Sequence, residues 1–195
     1  MAITSRFVAL TLVAAVSTGV GAWVAVRYVV RPQPPRQSAA AAAAQAGSAE
    51  TRRIKAALYY IAADGLRLQA AQRDVAYADG TPDQAKRILE ALLGPPPPGM
   101  LSAIPPGTAL RGVYLAEGGA AYVDFTAALQ TNHPGGSLSE ILTVYAIVSS
   151  VTANLPAVTA VQILIDGHEA DTLAGHVDLR RPLPPSAPWT EKGPS

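Results

Sequence analysis

The apolar positions of this chain follow several spacings, and each predicts a different element. From Phe7 to Val26 they run on without a charge, flanked by Arg6 and Arg27. At about 1.5 Å per residue the stretch makes roughly 30 Å of helix, the hydrocarbon thickness of a bilayer. It predicts one transmembrane anchor over residues 7–30, behind a short flank of residues 1–6. Trp23 and Tyr28 sit near one end, where amphipathic rings favour the interface. The run is longer than the apolar part of a signal peptide, and Val24, Val26 and Arg27 make a poor cleavage site, so retention is expected. Residues 31–52 then hold no large apolar side chain. Rich in Pro, Ala, Gln and Ser, they read as a spacer that buries too little to offset its ordering entropy.

From Ile54 the period becomes two. Ile54, Ala56, Leu58 and Tyr60 share one face of a strand reaching Ile61, and Leu66, Leu68 and Ala70 alternate likewise beyond the Asp64-Gly65 turn, which predicts a hairpin. Helical spacing takes over at Thr81: Ala85, Ile88, Leu89 and Leu92 form a stripe, Thr81 and Gln84 read as a capping box, Pro82 suits the first turn, and Gly94-Pro95 stops the helix. Pro95 to Pro98 can only be an extended connection. Leu110–Leu115 and Ala120–Phe125 predict a second hairpin around Glu117-Gly118-Gly119. Ser137 and Glu140 repeat the capping-box signature before a helix running to about Asn154, apolar nearly all round with Glu140 as its one charge, hence a central buried helix. Pro156 ends it, Val158 to Ile165 reads as a strand, and Asp166-Gly167 turns it back through Glu169 to Leu173.

The order ββαββαββ predicts an α+β domain over residues 53–183, with two main helices packed on a mixed or antiparallel sheet. Residues 184–195 resemble the spacer in composition and read as a disordered tail. Trp189 within them is expected to be a loosely packed aromatic rather than a partner contact.

Composition narrows the function by exclusion. With 15 Lys and Arg against 14 Asp and Glu, the formal charge of +1 offers no field for a nucleic-acid backbone. The absence of cysteine removes disulfides, thiolate metal sites, thiol nucleophiles and a lipidated N-terminal cysteine. No Gly-rich phosphate loop with its lysine, no GxSxG elbow and no SxxK pair is present, and no cofactor is expected. Ser137 is explained by the helix start, and Ser102 by the rigid turn of Pro105, Pro106 and Gly107.

The densest group of reactive side chains is Asp166, His168, Glu169, His176 and Asp178, which a hairpin could gather as metal ligands. Turn chemistry explains Asp166, and loop structure explains His176 and Asp178, so neither catalytic nor metal residues are assigned. A metal-dependent hydrolase built on His168 and His176 stands as the alternative. Binding residues are sought instead on small-residue loops of the scaffold: Asp64 and Gly65, Pro97 and Gly99, and His133 and Gly135.

Six phrases stand in one order along the domain: LLGP at 92–95, LSAIPPGTAL at 101–110, AYVDF at 121–125, GGSLSEILTVYAIVSSVT at 135–152, VQILIDG at 161–167 and TLAGHVDL at 172–179. Together they resemble the GerMN, or Germane, domain, named for a spore-germination protein and widespread in bacterial envelope proteins. The resemblance implies a non-catalytic binding or assembly module, outside the cytoplasm on a membrane anchor, with a fold akin to ring-building modules. It carries over no catalytic residues. The expected partners are the membrane, through the chain's own N-terminal helix, and a protein, a second copy or cell-wall material. Many relatives are lipoproteins or carry a second domain, whereas this chain has no cysteine and one copy. The arginines flanking residues 7–26 lean towards a cytoplasmic domain, so the expectation of export rests on the resemblance alone.

Overall fold

A computed structural model describes residues 52–189 of the chain. The predicted anchor, nearly all of the spacer and the last residues of the tail lie outside the described residues. Among the described residues no helix is long and apolar enough to cross a membrane.

The first alternating stretches form β1 (Arg53–Ile61) and β2 (Leu68–Ala76), antiparallel from Arg53 opposite Ala76 to Ile61 opposite Leu68. Ala56, Leu58 and Tyr60 are fully buried, as the alternation requires. Leu66 is not on the strand face; it sits in the connecting turn, 64% exposed. Helix α1 (Thr81–Leu92) follows, burying Gln84, Ala85, Ile88, Leu89 and Leu92. Then come β3 (Leu110–Leu115), β4 (Ala120–Phe125), a single turn α2 (Ala128–Thr131), the long helix α3 (Ser137–Thr152), β5 (Ala160–Ile165) and the two-residue β6 (His168–Glu169). The molecule is therefore α+β. A 3-10 turn at Ala187–Trp189 lies against α3, within the stretch expected to be a loose tail.

The strands make two ladders rather than one sheet. β1 and β2 stand alone, while the second sheet runs β3-β4-β5-β6, with β4 and β5 parallel from Ala120 opposite Ala160 to Phe125 opposite Ile165. Parallel neighbours need a crossover, and α3 supplies it. The separation of β1–β2 has a local cause. The Asn154 amide accepts from Ala57 N–H at 2.9 Å and donates to Ala57 C=O at 2.8 Å, Ser150 Oγ accepts from Tyr59 N–H at 3.0 Å, and Leu101 exchanges two main-chain bonds with Ile61. Side chains of the α3 end thus take the place of a third strand. The core joins both ladders to the helices through Leu58, Tyr60, Ile88, Leu89, Val123, Phe125, Ile147, Val151 and Ile163. Each such large side chain contributes about 1.5–3 kcal/mol by leaving water.

Both helix starts differ from the capping boxes predicted. The N-cap residues are Gly80 (φ 89°, ψ 144°) and Gly136 (φ 85°, ψ 142°), and neither helix has a side-chain cap. Only glycine adopts that conformation readily, and the glycine carbonyls take the first helical bonds, from Gln84 N–H and Glu140 N–H at 3.0 Å each. Thr81 and Ser137 are consequently already inside the helix, where their hydroxyls cannot cap. Gln84 and Glu140 are freed to bond elsewhere.

Candidate functional site

The three loops expected to bind ligands converge on one segment, residues 101–108. Asp64 closes the β1–β2 hairpin, accepting from Leu66 N–H at 3.0 Å and pairing with Arg67 at 3.0 Å, while Gly65 (φ 73°) makes the reversal. At the same end of β1, Ile61 bridges Leu101. Pro97 C=O accepts from Met100 N–H at 3.1 Å, and Gly99 (φ 80°) turns the proline run back towards that bridge. The third loop reaches the segment twice. Asn132 Nδ2 donates to Pro106 C=O at 2.8 Å, and His133 lies 3.2 Å from Thr143 Oγ1, which donates to Ala103 C=O at 2.6 Å. Gly135 N–H donates to His133 Nδ1 at 3.0 Å, so the ring hydrogen is on Nε2 and points at the threonine. His133 is therefore a strut between loop and helix, with both ring nitrogens engaged.

Where the proline run meets this segment a cleft of about 400 Å³ opens, lined by Leu93, Pro95, Pro96, Ile104, Pro105 and Pro106 among others. No charged residue lines it. Ser102 and Thr108 on its rim spend their hydroxyls on the turn, on Ile104 and on Pro105 C=O respectively. Beside it a small apolar cluster of Leu68, Ala103, Leu142 and Ala146 is buried. Exposed Leu66, Leu101 and Leu138 each lie two residues, or one helical turn, before one of its members. The region offers shape and apolar surface, and no acid, base or nucleophile.

The reactive side chains suspected of metal binding fall in two places: Asp166, His168 and Glu169 at the β5–β6 turn, and His176 and Asp178, which line a second cleft with Asp171 and Arg180. Asp166 (φ 50°) is held by Arg111 at 2.6 Å, and Arg111 also reaches buried Asp124 at 3.1 Å, which accepts from Gly167 N–H at 2.7 Å. The Asp166 carboxylate pushes the Arg111 pKa up. Asp178 is clamped by Arg180 at 2.8 and 2.9 Å, which holds its carboxyl well below the usual range. His168 and Glu169 stand exposed on β6. Among the described residues no three His, Asp or Glu side chains form a group that could hold a metal.

His176 meets Glu140, the residue whose role the sequence misassigned. Glu140 is fully buried and accepts from Leu173 N–H and His176 N–H at 2.8 Å each, with His176 Nδ1 at 3.1 Å. Burial pushes its pKa up, but the N–H groups of Ala174, His176, Val177 and Leu173 outweigh that and hold it below its ordinary value. A buried carboxylate so surrounded is an anchor for the loop after β6. Its only sequence signal was being the single charge on an otherwise apolar helix.

Comparison with known proteins identifies the family of the domain. The family model described as Germane, sporulation and spore germination, matches residues 57–171. The tandem GerMN domains of the sporulation protein GerM from Bacillus subtilis give a TM-score of 0.50 at 18% identity, covering 69% of this chain and 45% of that one. This chain thus spans under half the length of the tandem protein. The first GerMN domain of GerM gives 0.49 at 21% identity over 68% of this chain and 94% of that domain. A Clostridium perfringens protein described as a candidate lipoprotein gives 0.48 at 22% identity, over 68% and 87%. No curated protein matches.

Proposed function

This chain belongs to the Germane family, and from that premise we propose that it is a non-catalytic binding or assembly module of the bacterial cell envelope, held by its N-terminal apolar helix with the domain outside the cytoplasm. One observation carries the non-catalytic reading. The buried and half-buried acids and imidazoles at the loops are spent on holding loops: Glu140 on four backbone donors, His133 on Gly135 and Thr143, Asp166 and Asp124 on Arg111, while His168 and Glu169 stand exposed on β6 and line neither cleft. An active site needs a reactive group free to change protonation against a substrate. The converging loops and the uncharged proline-lined cleft instead suit recognition of a protein surface, a second copy or cell-wall material. A link to sporulation or germination follows the family description.

Topology tests the envelope placement. A reporter active only outside the cytoplasm, fused after Trp189 of the full chain, is expected to be active; an active cytoplasmic reporter at the same position would overturn export. For the binding face, Leu101→Asp is expected to abolish retention of the full chain in the membrane complex it joins, measured by co-purification, while melting is unchanged.

A further inference from the structure

We infer that the face of β3 and β4 turned away from the core is a stacking platform for the sugar rings of an uncharged glycan, with Tyr114 as its ring contact. This names a ligand class for the cell-wall reading above, and rests on it. Alternation sets the two faces apart. Val113, Ala121 and Val123 turn into the main core, where α1 packs against β3, so Gly112, Tyr114, Tyr122 and Asp124 turn the other way. Tyr114 stands opposite Tyr122, and Gly112 opposite Asp124. Tyr122 is half-buried, whereas Tyr114 is 60% exposed. The Tyr114 side chain does not stand up from the sheet. Its hydroxyl and ring carbons lie 2.8–3.2 Å from where a Cβ on Gly112 would be, so the ring folds back along the strand over the glycine. An aromatic laid along a sheet turns one π-face down and the other to solvent.

The border of this ring is polar and its charge is balanced. Arg111 reaches Asp166 at 2.6 Å and buried Asp124 at 3.1 Å; Asp166, then Asp124 and the Tyr114 phenol, push the Arg111 pKa up, which places the phenol near the guanidinium. In the other direction the row continues from Tyr122 to Gln162, whose amide donates to Leu179 C=O in the loop that carries the second cleft. Candidate ligands make different demands on such a face. A pyranose offers a flat set of C–H groups, drawn to the negative face of an aromatic ring, and a rim of hydroxyls that donate to carboxylates and accept from a guanidinium. Tyr114 supplies the face, and Asp166 and Arg111, each about half exposed, supply the rim. A nucleic-acid base would also stack, but its backbone calls for unpaired cations, and Arg111 is held by two carboxylates. A protein surface calls for a contiguous apolar centre. The other large apolar side chains exposed among the described residues lie away from this face, at Leu66, Leu101 and Leu138, or on the opposite side of the strand at Leu115.

The probe is the neutral β-1,4-linked tetramer of N-acetylglucosamine, titrated calorimetrically into the full chain in micelles of a detergent without a sugar headgroup. Tyr114→Phe keeps the ring and is expected to bind within about twofold of wild type, whereas Tyr114→Ala is expected to bind about tenfold more weakly. Gly112→Ala keeps the tyrosine but sets a Cβ against its ring, and is expected to weaken binding about threefold. All three are expected to retain the melting transition. A wild-type chain that binds no tetramer overturns the inference, as does Tyr114→Ala binding as tightly as wild type. Oligothymidylate held through Tyr114 more tightly than the tetramer overturns it in favour of an anionic polymer. A co-purifying protein lost on Tyr114→Ala, with no tetramer bound, overturns it in favour of a protein surface. The reporter fusion separates this inference from the reading it rests on: an active outside reporter with no tetramer bound sinks the platform alone, and a tetramer bound by a chain whose cytoplasmic reporter is active sinks the envelope placement alone.

Discussion

The starts of α1 and α3 carry the same sequence signature, a hydroxyl residue followed three positions on by Gln or Glu, and both turn it to a use other than capping. Each helix is entered through a glycine with φ near +90°, and each polar side chain is released from the helix end. From there they diverge. Gln84 makes a short-range join, accepting from Ala78 N–H at 2.8 Å and donating to Ala76 C=O at 3.2 Å, which fastens α1 to the end of β2. Glu140 reaches residues 33 and 36 positions later and gathers only donors. A neutral amide serves where one donor and one acceptor must be met together; a carboxylate serves where every neighbour is an N–H. The partner set, more than the helix, decides which residue stands there.

Substitutions can break this contrast. The largest effect is expected from Glu140→Gln, about 3 kcal/mol of lost stability, because the amide NH2 would face backbone donors in a buried site. The difference is pH-dependent. The folded-state pKa of Glu140 is depressed from 4.5, so its contribution is full above that value and is lost as pH falls through the lower folded pKa. Denaturant melts of wild type and Glu140→Gln are therefore expected to converge only in strongly acidic buffer. Gln84→Glu should cost about 2 kcal/mol by setting a carboxylate against Ala76 C=O, read in the same melts. Gly80→Ala and Gly136→Ala should each cost about 1–2 kcal/mol; a Cβ at either glycine meets nothing within 4 Å, so the cost is conformational and the two should agree. Thr81→Ala and Ser137→Ala should change the melting midpoint least, by less than about 0.5 kcal/mol, where a bonded cap would cost about 1 kcal/mol. A cost near that of a true cap at either position would restore the capping box.

Much of the fold was legible because it is written in local periodicity. The faces of β1 and β4, the stripe of α1 and the burial of α3 all follow from spacing, since an alternating or helical pattern leaves its apolar side one place to go. What was not legible depends on distant partners. A capping box and a Gly N-cap followed by a long-range anchor look alike in sequence, and only the residue before the hydroxyl, glycine in both cases, hints at the difference. The parallel pairing of β4 with β5 and the division into two ladders depend on where α3 lands. Asp124, itself buried and paired with the exposed Arg111, interrupts AYVDF at a position facing away from the main core, a signal present in the alternation. Of the suspected reactive group, the turn role of Asp166 and the loop roles of His176 and Asp178 were readable from neighbouring residues. That His176 answers to Glu140 was not.

The amide of Asn154 that completes the edge of β1 belongs to a residue 97 positions further along the chain. Because a chain is made from its N-terminus, β1 emerges long before its cover exists, and the first hairpin waits with bare main-chain groups until the end of α3 arrives. Bringing so distant a contact into place is slow compared with closing the hairpin. The period of greatest exposure to mispairing therefore falls during synthesis, and chains cut short before Asn154 should be the ones that aggregate.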